Sequence, residues 1–132
     1  MKSTLFSLTY LAIDGDDVGL QLRDKIVSND IEGVSRLSDQ LSSYFCTLAD
    51  ILESQGFSIV FCGGDSILAS SRHGIVSSIF EEFPIGPCTL SAGLAETAEK
   101  AYLALQLAKA RGKNQVVRLV HTDAETVHDW RP

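Results

Sequence analysis

The chain has 132 residues and a formal net charge of −6, with 45% hydrophobic and 21% charged residues. This balance excludes an intrinsically disordered chain, because disorder requires fewer apolar residues and more net charge. The negative charge also argues against a protein that coats DNA or RNA, because such proteins gain affinity by neutralising phosphates.

No apolar run approaches the roughly 18 residues that span a bilayer, and the first residues do not resemble a signal peptide. We therefore expect a cytoplasmic protein that is not itself bound to a membrane. The three cysteines, Cys46, Cys62 and Cys88, are widely spaced and fit neither a disulfide framework nor a zinc site. Their apolar neighbours predict buried thiols.

The first half of the chain predicts a strand followed by two helices. Residues 8–13 are almost wholly apolar and stop at Asp14, which is typical of a buried strand that ends in a loop. A short helix is predicted over residues 18–27. Asn29 and Asp30 offer an N-cap for a long amphipathic helix, which Gly56 ends.

The second half predicts a hairpin and then alternating helices and strands. Strands at 57–62 and 66–70 flank the turn Gly63-Gly64-Asp65, and a weaker helix at 74–83 follows. A strand at 89–95, a helix at 96–111 and a strand at 115–120 complete the order β-α-α-β-β-α-β-α-β. This order predicts an α+β sandwich with a mixed sheet over residues 1–121, and a loosely held polar tail over 122–132.

Two acidic motifs lie where a predicted buried strand meets a turn. Asp14-Gly15-Asp16 follows the first strand, and Gly63-Gly64-Asp65-Ser66 lies in the hairpin. If the first strand lies beside the hairpin, Asp14 and Asp65 approach each other, and their repulsion calls for a cation. Magnesium suits such a site, because it takes few carboxylates and completes its shell with phosphate oxygens and water. The glycines would leave room for a metal or a triphosphate near the backbone.

Each motif alone also has a purely structural interpretation, because acids after strands are frequent and Gly-Gly-Asp is a good turn. A second enzymatic interpretation uses the same residues. In a haloacid-dehalogenase-type phosphatase, Asp14 would be the phosphorylated nucleophile and Asp16 the acid/base. That fold is built from alternating β-α units, and the predicted hairpin argues against it.

Together with Ser91-Ala92-Gly93-Leu94-Ala95, Ala101-Tyr102 and residues 108–114, the two motifs resemble the palm domain of GGDEF nucleotide cyclases and CRISPR polymerases. The resemblance runs from about Tyr10 to Val120, and the chain is most similar to the minimal CRISPR polymerase (mCpol) family. It implies a ferredoxin-like palm with a mainly antiparallel sheet.

The resemblance also implies roles for individual residues. Asp14 and Asp65 match the catalytic, metal-binding carboxylates, and the metal set would be completed by the Gly15 carbonyl and Asp16. Two Mg²⁺ (or Mn²⁺) ions per active site are implied. Lys109 matches the lysine that holds the triphosphate. The other positions implied for nucleotide binding are Gly15, Gly63, Gly64, Ser66 and Lys113.

The implied reaction condenses nucleoside triphosphates into a cyclic dinucleotide, such as cyclic di-AMP, with release of pyrophosphate. Residues 17–25 contain no match to the guanine-reading residues of the cyclases, which favours ATP. Closing the ring implies a homodimer, and the family implies a role in anti-phage defence with a membrane effector that responds to the product. Ser66 replaces a second acid of the relatives, which leaves open a non-catalytic, nucleotide-binding sensor.

Overall fold

Strand β1 (Thr9–Gly15) lies inside a six-stranded sheet in the computed structural model of the protein, which describes residues 8–75 and 77–132. Leu11 and Ile13 belong to the larger apolar core, whereas Ala12 belongs to a smaller cluster on the other face. Because side chains alternate along a strand, Asp14 projects to the same face as Ala12.

The other elements follow in chain order as α1 (Val18–Val27), α2 (Ile31–Ser54), β2 (Ser58–Gly63), β3 (Ser66–Ser71), a 3-10 helix (Ser77–Glu82), β4 (Leu90–Ala95), α3 (Ala98–Ala110), β5 (Gln115–Val120) and β6 (Asp123–Asp129). The strand order in the sheet is β2-β3-β1-β4-β5-β6. Strands β4 and β5 are parallel, and every other neighbouring pair is antiparallel. The predicted α+β class and the mixed, mainly antiparallel sheet are confirmed.

Two predicted elements differ from the structure. The helix predicted over 74–83 is a 3-10 helix (Ser77–Glu82), because prolines at 84 and 87 leave no room for further turns. The loose tail predicted over 122–132 is wrong for Asp123–Asp129, which pairs along the whole of β5. Most residues of this strand are polar, and the two half-buried apolar residues, Ala124 and Val127, did not indicate a strand in the sequence. Residues 1–7 of the predicted domain lie outside the described residues.

Helix α2 covers the half of the sheet that contains β2 and β3. Its N-cap is Asp30, whose carboxylate accepts a 2.9 Å hydrogen bond from the Gly33 N–H. Its buried stripe includes Leu37, Phe45 and Leu52. In the part of the chain that the structure describes, none of the helices is both long and apolar enough to cross a membrane.

Helix α3 packs closely against β4 on the face to which Asp14 projects. The closest approach is at Gly93, where an added Cβ would lie 2.2 Å from the Ala101 carbonyl oxygen and 2.3 Å from the Leu105 nitrogen. Only glycine fits between these two backbones. The packing holds α3 against the sheet and places Lys109, in its last turn, beside the end of β1.

We expect Gly93→Ala to lower the free energy of unfolding by about 1–3 kcal/mol, because the added methyl group pushes α3 away from β4. The matched control is Gly19→Ala in α1, where an added Cβ meets nothing within 4 Å. That substitution is expected to stabilise the protein by about 0.5–1 kcal/mol, because alanine is the better helix former. Urea denaturation of both variants measures the difference, and equal effects would contradict the close approach.

Candidate active site

The Asp14 carboxylate lies at the end of β1 and is held from two sides. One oxygen accepts a 2.7 Å hydrogen bond from the Ser66 hydroxyl, on the neighbouring strand β3. The other lies 2.9 Å from the Lys109 ammonium. The side chains of Asp14 and Lys109 are 25% and 31% exposed, so this ion pair is accessible from solvent. The Asp14–Lys109 pair therefore presents an anion and a cation that are both accessible to a nucleotide and its metal ion.

The structure brings Asp65 beside the same strand end. The Gly15 N–H donates a 2.8 Å hydrogen bond to the Asp65 carbonyl oxygen. A Cβ added at Gly15 would lie 3.3 Å from the Asp65 Cβ and 3.0 Å from the Cys88 sulfur. The backbone at Asp65 therefore lies beside Gly15, one residue after Asp14, and the convergence of the two carboxylates stays a prediction.

Asp16 has a different environment, since only 3% of it is exposed. One carboxylate oxygen accepts a 2.6 Å hydrogen bond from the Ser91 hydroxyl. The other accepts bonds from the Thr89 hydroxyl (2.7 Å) and the Asn114 N–H (3.1 Å). These donors use both oxygens, so Asp16 joins the start of β4 to the turn after α3.

The predicted metal set of Asp14, Asp16, Asp65 and the Gly15 carbonyl stays a prediction. Within residues 8–75 and 77–132, no three His, Cys, Asp or Glu side chains group closely enough to hold a metal ion by themselves. Both oxygens of Asp14 and both oxygens of Asp16 accept hydrogen bonds from the protein. All members of the predicted set supply oxygen donors. This set suits Mg²⁺ or Mn²⁺, which take few protein ligands when phosphate oxygens complete the shell.

Lys113 lies at the rim of the site and pairs with Asp17. The hydrogen bond to Asp17 raises the pKa of the lysine, so it stays protonated. Asp17, Lys113 and Asn114 all have left-handed backbone conformations, with φ values of 58°, 65° and 55°. Such residues are uncommon and cluster at functional sites. The ion pair thus joins two strained turns next to the buried Asp16 network.

The hairpin glycines differ in their surroundings. Gly64 has a φ of +60°, and an added Cβ would meet nothing within 4 Å. An added Cβ at Gly63 would lie 3.0 Å from the Phe61 ring. The hairpin is therefore open at Gly64, and the role of both glycines in nucleotide binding stays a prediction.

The prediction of buried thiols is wrong for two of the three cysteines. Cys46 and Cys62 are exposed, because both lie on the outward sides of their elements, and Cys88 is half-buried. Burial, together with the nearby Asp16 and Asp65 carboxylates, raises the pKa of Cys88 to about 11. The Cys88 thiol is therefore neutral near pH 7 and adds no negative charge beside the two acids.

The sequence reasoning missed Thr89, Ser91 and Asn114 as functional neighbours. One signal was present. Thr89 and Ser91 are hydroxyl residues two positions apart at the start of a predicted buried strand, so they share one face. Ser91 is buried, so its hydroxyl requires a polar partner, which is one Asp16 oxygen, and the Thr89 hydroxyl donates to the other. Nothing local indicated that the Asn114 N–H would supply the third donor.

A family model for the minimal CRISPR polymerase (mCpol) domain matches residues 10–119. The chain belongs to the minimal CRISPR polymerase family. The match spans both acidic motifs, Lys109 and the turn after α3, and ends before β6. Among curated proteins, none matches this chain.

Solved structures with the same fold include the GGEEF domain of a diguanylate cyclase from Vibrio cholerae. It shares 18% sequence identity with this member of the mCpol family, has a TM-score of 0.60, and the match covers 86% of this chain and 83% of that chain. A diguanylate cyclase/phosphodiesterase from Caldicellulosiruptor saccharolyticus has 15% identity, a TM-score of 0.65, and coverage of 92% and 82%.

A Csm1-Csm4 cassette in complex with cA4 has 20% identity and a TM-score of 0.63. The match covers 86% of the mCpol chain and 21% of that chain, so the chain spans about a fifth of its length. These likenesses show a shared palm fold of the polymerase/cyclase type.

The antiparallel neighbours of β1 also exclude the phosphatase alternative, which requires alternating β-α units.

We expect Asp16→Asn to lower the free energy of unfolding by about 2 kcal/mol, because an amide nitrogen would face buried donors that need an acceptor. Asp17→Asn removes a carboxylate one residue away, from an exposed pair, and should change stability little. Thermal and urea denaturation of the two variants measure this contrast. Equal stability of Asp16→Asn and the unchanged protein would contradict the buried network.

Proposed function

We propose that the protein is a metal-dependent nucleotidyltransferase that condenses ATP into a cyclic dinucleotide, such as cyclic di-AMP, and releases pyrophosphate. The observation that carries the proposal is the pairing of the end of β1 with the hairpin, which sets Ser66 opposite Asp14 and the Asp65 backbone beside Gly15, within the region matched by the polymerase family. Lys109 supplies a cation at the same place.

The two carboxylates and the Gly15 carbonyl would hold Mg²⁺ or Mn²⁺, in our proposal two ions per active site. When bound, the metal would lower the pKa of the attacking ribose hydroxyl and neutralise charge on the leaving pyrophosphate. Ser66 donates to Asp14 and so orients its carboxylate. The alcohol therefore takes the place of the missing second acid as a positioning group.

Lys109 would hold the phosphates of the nucleotide. Its ammonium neutralises Asp14, and phosphate oxygens offer it an alternative anionic partner. Phosphoryl chemistry depends mainly on positioning and charge stabilisation, so a lysine on a firmly packed helix is suited to the task. Lys113, paired with Asp17 at the rim, is a second cation for the phosphates.

Several finer points of the proposal rest on similarity. Csm1-Csm4 cassettes with this fold are found in complex with one ATP and with pppApA, which supports adenine as the base. A palm site presents one nucleotide, so ring closure would need two facing protomers, and we propose a homodimer. The family resemblance is the support for a cytoplasmic role in anti-phage defence through a membrane effector.

A nucleotide-binding sensor without turnover is the second candidate. The observation that favours it is the full engagement of Asp14, whose two oxygens are held by Ser66 and Lys109. Metal binding at Asp14 would compete with these two donors. A sensor would bind ATP and release no pyrophosphate, so a product assay separates the two functions.

Incubation of the protein with ATP and Mg²⁺ should yield pyrophosphate and a cyclic adenine dinucleotide, identified by mass spectrometry. We expect Asp14→Asn and Asp65→Asn each to reduce the rate at least about 100-fold, because each removes an anionic ligand of the proposed metal ions, which neutralise charge in the transition state. The control Asp50→Asn alters an exposed carboxylate on α2. Unreacted ATP with the unchanged protein would refute catalysis, as would full activity of either site variant.

Lys109→Gln should affect metal and nucleotide binding in opposite directions. The glutamine leaves Asp14 without its ion-pair partner, so Mn²⁺ alone should bind at least as tightly as to the unchanged protein. ATP should bind about tenfold more weakly, because a charge-assisted contact to phosphate is lost. Calorimetric titrations with each ligand test both directions, with Lys100→Gln, in the first turn of α3, as the control. Parallel weakening of both ligands would contradict the assigned role.

A further inference from the structure

The turn 111–114, between α3 and β5, carries two residues to the rim of the candidate active site. Lys113 pairs with Asp17, and the Asn114 N–H donates to the Asp16 carboxylate. Both residues of the turn have left-handed backbone, a conformation that costs free energy in any residue other than glycine. The turn therefore depends on neighbouring structure to hold its shape.

Gln115, the first residue of β5, supplies part of that support. No part of this residue is exposed, although its side chain is polar. Its amide nitrogen donates hydrogen bonds to the carbonyl oxygens of Arg111 (3.2 Å) and Lys113 (3.3 Å). Its amide oxygen accepts a 2.8 Å hydrogen bond from the Thr126 hydroxyl on β6. One buried amide thus uses both its donors and its acceptor to join the turn to β6.

Strand β6 and the residues after it also contact the turn directly. The backbone N–H of Trp130 donates a 3.1 Å hydrogen bond to the Asn114 carbonyl oxygen. The Arg131 guanidinium donates a 3.0 Å hydrogen bond to the Arg111 carbonyl oxygen. In the opposite direction, the Arg111 guanidinium donates a 3.1 Å bond to the Ala124 carbonyl oxygen. The turn is therefore held at its first and its last residue.

Residues 124–131, which we call the clamp, are anchored to the larger core by Trp130. The indole ring stacks on Phe83, with centroids 6.3 Å apart and an interplanar angle of 20°. The indole N–H donates a 3.2 Å hydrogen bond to the Phe80 carbonyl oxygen. Both phenylalanines belong to the larger core. The clamp therefore ties the turn to a part of the molecule that does not move easily.

A fixed turn matters for a lysine that binds phosphate. A lysine on a mobile turn loses conformational freedom when it binds an anion, and this loss weakens the affinity. A turn whose shape is already set avoids much of the loss. Lys113 is the cation of this turn that lies at the rim of the site, so it is the side chain through which support of the turn would reach a ligand.

We propose that Gln115 and Thr126 are positioning residues, which, with the rest of the clamp, fix the turn 111–114 and thereby hold Lys113 ready for the phosphates of the nucleotide. The inference rests on the proposed function for the role of Lys113. The clamp lies beyond residues 10–119, so the family match does not cover it. Strand β6 then serves the site as well as the sheet.

Thr126→Val removes the hydroxyl and keeps a β-branched side chain, which suits a strand. We expect inorganic tripolyphosphate with Mg²⁺ to bind this variant about fivefold more weakly than the unchanged protein, because the turn becomes mobile. Thr126→Ser keeps the donor and should restore the affinity. The matched control is Thr122→Val, at an exposed position in the turn between β5 and β6.

Calorimetry separates positioning from folding, because a loss of folded protein lowers the number of binding sites and leaves the affinity unchanged. Equal affinities of Thr126→Val and Thr122→Val would overturn the proposal. So would equal weakening by Thr126→Val and Thr126→Ser, or an unchanged protein that binds no tripolyphosphate.

A double-mutant cycle tests whether the clamp acts through Lys113. Lys113→Gln alone should weaken the binding of tripolyphosphate, and adding Thr126→Val should then weaken it by less than about twofold, because coupled residues are not additive. In the Lys100→Gln background, Thr126→Val should keep its full effect of about fivefold. A full effect in the Lys113→Gln background would contradict the assigned route.

Gln115→Met keeps the length of the side chain and removes the amide, so two carbonyl oxygens of the turn lose a donor. We expect the KM for ATP to rise about tenfold with kcat little changed. A fall in kcat at unchanged KM would indicate only a loss of folded enzyme and would contradict a positioning role.

The clamp and the proposed reaction can fail separately. If pyrophosphate is formed from ATP while Thr126→Val and Thr122→Val bind tripolyphosphate equally, the positioning role is wrong and the reaction stands. If Thr126→Val weakens the binding only when Lys113 is present and no pyrophosphate is formed, the positioning role stands and the reaction is wrong.

Discussion

The antiparallel pairing of β1 with β3 is the constraint on which the candidate site depends. Its register places Ser66 opposite Asp14 and brings the Asp65 carbonyl within hydrogen-bonding distance of Gly15. A register shift of one residue would turn Asp14 to the other face of the sheet, away from Ser66 and Lys109. The buried Leu11 and Ile13 oppose such a shift, because it would move them out of the larger core. The register of β1 that packs the larger core is therefore the same register that places Asp14 beside Ser66 and Lys109.

The second constraint is the buried charge of Asp16. A carboxylate with so little exposure is tolerated because three donors satisfy its two oxygens. The donors come from β4 and from the turn after α3, so the carboxylate joins segments that the sheet alone does not connect. This turn contains left-handed backbone at Lys113 and Asn114. The hydrogen bonds to the Asp16 carboxylate compensate for the cost of this left-handed backbone and keep Lys113 beside Asp17.

Much of the fold follows from local patterns in the chain. The apolar run before Asp14, the cap at Asp30 and the two-glycine turn correctly indicate β1, α2 and the β2–β3 hairpin. The hairpin lies beside β1, as predicted, and brings the Asp65 backbone next to Gly15. Strand β6 was missed because its pairing uses backbone groups and its side chains are mostly polar. The hydrogen bonds of Asp16 could not be predicted, because the partners lie more than 70 residues away along the chain.

The contacts that assemble the site also have a consequence for the order of events in folding. The partners of Asp14 and Asp16 are 52 to 98 residues apart along the chain. Contacts between distant residues close large loops and form slowly compared with helical turns. A nascent or partly folded chain, in which α3 and β5 have not yet docked, would hold neither the ion pair nor the Asp16 network. In the proposed function, nucleotidyl transfer therefore requires that the last third of the polypeptide has joined the sheet.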